Sequence, residues 1–192
     1  MHITTLDENI ALVVVDLQNG IAAFPSLRPL DGIVAQVNML SNAFRQRKLP
    51  VVLVVGAGSS PGRTDAALRH MERTGDFADF LPNLNADPSD HRITKRTRGA
   101  FTGTGLEQYL RIRGVTQVVV AGVATSSGVE STARQAYELG FNVVLPTDAM
   151  TDINAEAETY SVSRSFPRMA ETCTTRAILD LFDRRSATFG NV

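Results

Sequence analysis

Residues 118–134 read VVVAGVATSSGVESTAR. The apolar run Val118–Val120 passes through Ala121 and Gly122 into a loop of small residues, and a helical pattern begins near Ser127. A buried strand that opens onto a helix amino end through glycines and hydroxyls is a repeating unit of parallel α/β sheets. Backbone N–H groups point into such a turn, and the helix dipole favours negative charge there. Between Gly122 and Glu130 the chain offers only hydroxyls and glycines as polar groups, and no strong nucleophile.

Outward from this stretch, short β-branched runs alternate with helix-period segments. Ile10–Val15, Val51–Val55, Arg92–Lys95, Val118–Ala121, Val143–Leu145 and Arg168–Cys173 read as strands. Asp31–Lys48 carries Ile33, Val34, Val37, Leu40 and Phe44 at helical spacing. Gly105–Arg113, Ser127–Leu139, Glu156–Arg164 and Thr175–Arg184 are further helices, with a weaker helical signal at Ala66–Glu72. The alternation predicts a single-domain α/β fold over residues 1–192. Its expected form is a doubly wound three-layer sandwich around a mostly parallel six-stranded sheet of order 3-2-1-4-5-6. In that order strands 1 and 4 are neighbours at the switch point, so Asp16 and the Gly122–Gly128 loop meet where ligands bind. The long excursion at 56–90, rich in Gly, Ser, Pro and Asp, reads as a lid or an interface.

The chain has 192 residues, 43% of them hydrophobic and 20% charged, with a net charge of −1. This suits one globular domain with a full core. It gives no electrostatic reason to expect nucleic acid as a partner. The apolar runs Ala11–Val15 and Val51–Val55 are too short to span a bilayer, so no membrane partner is expected. The opening MHITTLDENI lacks a basic stretch followed by an apolar one, so no secretory leader is expected. One cysteine, Cys173, makes no internal disulfide and fits a cytoplasmic setting. It reads as a small buried apolar residue.

Asp16 ends the apolar run Ala11–Val15, and a carboxylate there needs a partner or hydrogen bonds. Its alternative reading is a turn residue. Lys95 ends another strand and opens the basic loop Arg96-Thr97-Arg98, which alone reads as a solvated charge run. Beside Asp16, a lysine would hold that carboxylate ionised while burial opposes it. His2, His70 and His91 show no ligand spacing, so no metal is expected, and no loop carries a phosphate or dinucleotide signature. No cofactor is implied.

Together, ALVVVDLQN (11–19), KRTRGAF (95–101), GVATSSGVESTAR (122–134), TDAMTD (147–152) and PRMAETCTTRAIL (167–179) resemble the isochorismatase-like hydrolase superfamily, also called cysteine hydrolases. The resemblance covers essentially the whole chain. It implies that Asp16 and Lys95 are catalytic and that Val123 and Ala124 are joined by a cis peptide bond. It implies an oxyanion hole from the backbone amides of Ala124 and Gly128. The position of the family's nucleophilic cysteine falls on Gly128, which rules out a covalent thiolate step there. Isochorismatases proper also carry glycine at this position and use the aspartate as a general acid. The segment GAGSSPGRTD after strand 2 does not look like their substrate loop, so isochorismate is not implied as the substrate.

The reading that follows is a hydrolase acting on a small molecule by Asp16 and Lys95 acid–base chemistry without a cysteine. Phe24, Arg63, Phe101 and Ser127 are candidate pocket residues. One alternative recruits Ser126 or Ser127 as a nucleophile, against their reading as capping and loop hydrogen-bonders. Another is a catalytically silent fold that binds a small molecule or a partner. The family resemblance implies a homodimer or homotetramer.

Overall fold

The computed structural model describes residues 3–65 and 75–189. The predicted helix at 66–72, His2 and His70 fall outside the described residues. Strands β1 (Ile10–Val15), β2 (Val51–Gly56), β3 (His91–Lys95), β4 (Gln117–Val123), β5 (Asn142–Pro146), β6 (Met150–Thr151) and β7 (Glu171–Cys173) form one sheet. Its main path runs β3-β2-β1-β4-β5-β7, and all its ladders are parallel. The expected order therefore holds, with the sixth expected strand now β7. Among the described residues the sheet has seven strands rather than six, because the two-residue β6 pairs with the end of β4. A pairing that short leaves no apolar period to read.

Helices α1 (Asn19–Ala22), α2 (Leu30–Gln46), α3 (Leu106–Ile112), α4 (Glu130–Glu138), α5 (Ala155–Tyr160) and α6 (Thr175–Phe189) complete the layers. The alternation within β1 shows why the sheet is covered on both sides. Ile10, Leu12 and Val14 join the core layer that includes residues of α2 and α6. Ala11, Val13 and Val15 join the opposite layer, with Leu106 and Leu110 of α3 and Ala133 and Ala136 of α4. A strand apolar on both faces can only be an interior strand.

The register pairs Val15 with Gly122 at the carboxyl ends of β1 and β4. A Cβ at position 122 would lie 2.0 Å from the Val15 carbonyl oxygen, and Gly122 has φ +118°. Both the space and the backbone conformation require glycine. This close approach brings the two loops that follow β1 and β4 together.

Candidate active site

Asp16 leaves β1 with φ 55°, in the left-handed region. Aspartate is among the few non-glycine residues that visit this region, at a cost of about 1–2 kcal/mol. Its backbone N–H donates to the Val54 carbonyl at 2.9 Å, so the turn is held against β2. Lys95 is the last residue of β3, on the far side of β2. Its Nζ reaches back to Asp16 Oδ2 at 2.9 Å and also donates to the Thr97 carbonyl at 3.2 Å. The two residues are only 8% and 4% exposed, so this is a buried ion pair. Breaking such a pair by removing one partner is costly, because the other charge stays buried.

The loop after β4 supplies the third side of the site. The Val123–Ala124 peptide bond is cis. Residues Thr125–Val129 form a π turn rather than the first turn of the helix expected at Ser127, and α4 proper begins at Glu130. The Ala124 carbonyl accepts from both Ser127 N–H and Val129 N–H at 3.1 Å. This wide turn buries Gly128, and a Cβ there would lie 3.0 Å from Asp16 Oδ2, 3.0 Å from the Val123 oxygen and 3.1 Å from Val15 Cγ1. The direction in which a side chain would leave position 128 thus points at the paired carboxylate.

Two further carboxylates hold this turn. The buried Asp152 accepts from Ser126 N–H at 2.7 Å through Oδ2, and from Ile153 and Asn154 N–H at 2.8 and 3.1 Å through Oδ1. Glu158 accepts from Thr125 Oγ1 at 3.1 Å and pairs with Arg28. On the opposite side, Gln18 is buried and locks three segments. Its Nε2 donates to the Gly56 and Phe77 carbonyls at 3.1 and 3.0 Å, and its Oε1 accepts from Gly56 N–H at 2.7 Å. Neither Gln18 nor Asp152 was singled out from the sequence. For Gln18 the available signal was an amide three residues past a buried strand and two past Asp16. For Asp152 it was the second acid of TDAMTD.

The structure brings Asp16, Lys95, Val123, Ala124 and Gly128 to one place at the carboxyl edge of the sheet. Ser127 lies beside them, with its Oγ 3.5 Å from Arg98 Nη1. The candidate pocket residues scatter. Phe101 is 9% exposed and packs in the core layer, its ring 6.0 Å from that of Phe141. Apolar character alone could not tell a core ring from a pocket wall. Phe24 is exposed in the turn after α1, and Arg63 is exposed in the loop after β2. Cys173 is buried in β7, where burial, reinforced by Asp148 and Glu171, pushes its thiol up to about 12. Such a thiol stays protonated at neutral pH and is a poor nucleophile.

The Isochorismatase domain family matches residues 10–177. Over 179 residues the chain is 39% identical to the uncharacterized isochorismatase family protein YecD of Escherichia coli O157:H7, covering 88% of this chain and 94% of that protein. It is 35% identical over 180 residues to the uncharacterized isochorismatase family protein YwoC of Bacillus subtilis, covering 88% and 92%. Among solved structures, an isochorismatase family protein of Burkholderia thailandensis superposes with a TM-score of 0.90 at 38% identity. That match covers 95% of this chain and all of that one.

Proposed function

This chain belongs to the isochorismatase domain family, and from that premise we propose that it hydrolyses a small molecule by acid–base chemistry of Asp16 and Lys95, without a cysteine nucleophile. The observation that carries the reading is the buried 2.9 Å contact between Lys95 Nζ and Asp16 Oδ2, with Gly128 facing the same oxygen. Asp16, ion-paired with Lys95 at the floor of the site, serves as the proton acceptor. Asp16 takes a proton from water as that water attacks the substrate's electrophilic carbon. The backbone N–H groups of Ala124 and Gly128 receive the developing oxyanion, supported by the helix dipole of α4. The proton then passes from Asp16 to the leaving group, and Lys95 again faces a carboxylate. With no side chain at 128, water rather than a thiolate is the nucleophile.

Two observations favour this over a serine nucleophile. Ser127 Oγ is engaged by the Arg98 guanidinium rather than by a base, and Ser126 lies on the turn that Asp152 holds through its N–H. The test is a turnover screen over small amides, esters and enol ethers with wild type and Asp16→Asn. At least one substrate is expected to be cleaved by wild type and about 10²–10⁴-fold more slowly by the variant, the usual worth of a general base. Equal rates for both proteins would remove the proposal. Ligand-induced thermal stabilisation with no turnover of any substrate would assign the fold to binding alone.

A further inference from the structure

The loop after β3 carries two exposed arginines, Arg96 and Arg98, and Arg98 is the one that reaches Ser127. Arg98 is exposed, and its Nη1 lies 3.5 Å from Ser127 Oγ, at the outer limit of a hydrogen bond. Among the described residues no carboxylate pairs with it. The backbone beneath it is nonetheless firmly placed. Lys95 Nζ donates to the Thr97 carbonyl at 3.2 Å, and Thr97 Oγ1 donates to the Gly99 carbonyl at 2.9 Å. Thr132 Oγ1 accepts from Ala100 N–H at 3.1 Å and donates to the Gly128 carbonyl at 2.7 Å. Gln135 Oε1 accepts from Phe101 N–H at 3.1 Å, while its Nε2 donates to Thr102 Oγ1 at 2.6 Å. A Cβ at Gly99 would run into the Gln135 amide at 2.2 Å, which shows how closely this loop lies on α4.

A firmly placed loop thus presents an exposed guanidinium to Ser127, the residue next to Gly128. Arg98 spends one weak N–H on Ser127, and the hydroxyl still has its own proton to donate. The remaining guanidinium N–H groups and that O–H form a set of donors matched to the two oxygens of a carboxylate. The charges nearer the reacting centre are already compensated by each other, so the unspent positive charge sits at the rim and selects for a negative group there.

We infer that the substrate of this site is a small carboxylate, held at its carboxylate by Arg98 and Ser127 Oγ so that its scissile bond reaches Asp16 and Gly128. The inference rests on the proposed site but concerns recognition, and it can fail separately from the chemistry. The probes are succinate and benzoate, each against its neutral amide, succinamide and benzamide. Binding is read from amide chemical shifts of the ¹⁵N-labelled full chain. The carboxylates are expected to bind at least about tenfold more tightly than the amides, with shifts at Ser127 and Gly128. Arg98→Gln abolishes that preference, and Arg98→Lys restores part of it, since an ammonium keeps the charge but loses the bidentate geometry. Asp16→Asn keeps the preference while losing turnover. Equal binding of acid and amide, absence of shifts at Ser127 and Gly128, or an unchanged preference in Arg98→Gln would each overturn the inference. Preference intact with turnover unaffected by Asp16→Asn would instead sink the acid–base mechanism and leave the recognition standing.

Discussion

The two ends of this sheet are both rich in polar side chains, yet they use them in opposite ways. At the amino ends of the strands, polar groups stitch neighbouring segments together, and the left-handed residues there, Lys48, Gly114 and Gly140, are the ordinary ends of α2, α3 and α4. Gln117 Oε1 accepts from Asp7 N–H at 2.8 Å, and Asp7 Oδ2 accepts from Thr116 Oγ1 and Asn142 Nδ2 at 2.7 and 3.0 Å. Thr4 Oγ1 donates to Glu171 at 2.5 Å, and Arg185 donates to the Leu6 and Asp7 carbonyls. A cleft of about 440 Å³ opens here between Thr5, Asn142 and Glu171, but no residue lining it has a left-handed backbone except Gly140. At the carboxyl ends, the left-handed Asp16, the crowded Gly122 and the π turn at 125–129 converge on one buried ion pair. Backbone in sparsely populated conformations is tolerated where the surroundings over-determine it, and it tends to mark function rather than stability. Polarity alone therefore does not separate a site from a seam. What separates them is the backbone on which the polar groups stand.

That contrast can be broken experimentally. After Asp16→Asn itself, the largest effect is expected at Gly128→Ala. The added methyl would sit 3.0 Å from Asp16 Oδ2 and from the Val123 oxygen, so the carboxylate or the turn must shift by a few tenths of an ångström. Turnover should fall about tenfold to a hundredfold, because small misplacements at a reacting centre are expensive. The variant's melting temperature should move far less than its rate. Full activity in Gly128→Ala would refute the assignment of this end.

Asp7→Ala is the mirror experiment. It removes the acceptor shared by Thr116 and Asn142 and should lower stability by about 1–2 kcal/mol in a denaturant titration. The turnover per folded molecule should stay at the wild-type value. A loss of turnover without a loss of stability would move function to the amino end.

The smallest effect concerns His91, the first residue of β3, whose ring stacks on Tyr109 at 3.7 Å. Burial, and then the Arg113 charge, hold its pKa below the ordinary 6.5. The unfolded chain therefore takes up a proton below pH 6.5 that the folded protein refuses. Stability falls as the pH drops from 6.5 to the lowered value and is level beyond it. Replacing His91 with Phe keeps a ring for the stack and should flatten this slope. The difference in Tm between pH 7 and the acid side should shrink by about 1–2 °C, read by calorimetry.

Most of the sheet was legible because its strands are apolar on both faces, and runs such as Ile10–Val15 and Val51–Val55 have no other stable home. Asp16 stood out as a charge that ends such a run, whereas Lys95 ends the mixed stretch Arg92–Lys95 and on its own reads as part of a solvated basic loop. What stayed hidden depends on contacts between distant segments. Phe101 reads the same whether it lines a pocket or packs on Phe141. Gln18 becomes a strut only when the ends of β1 and β2 meet the segment around Phe77. The π turn differs from an ordinary helix start only in which carbonyl each N–H chooses, and small residues permit both. Arg98 was hidden inside a basic run, where its neighbours gave it the look of a solvated surface.

Gly122 carries a consequence for anyone reading mutational tolerance as a map of chemistry. A saturation library scored by activity alone would mark positions 16 and 122 as equally intolerant. The first fails for want of a proton acceptor, and the second because any side chain must occupy the 2.0 Å gap to the Val15 carbonyl oxygen. Scored by the amount of folded protein in a Lys95→Met background, where the loss of Asp16 strands no buried charge, the two positions part company. Only then does the map distinguish a residue that reacts from one that lets two strands touch.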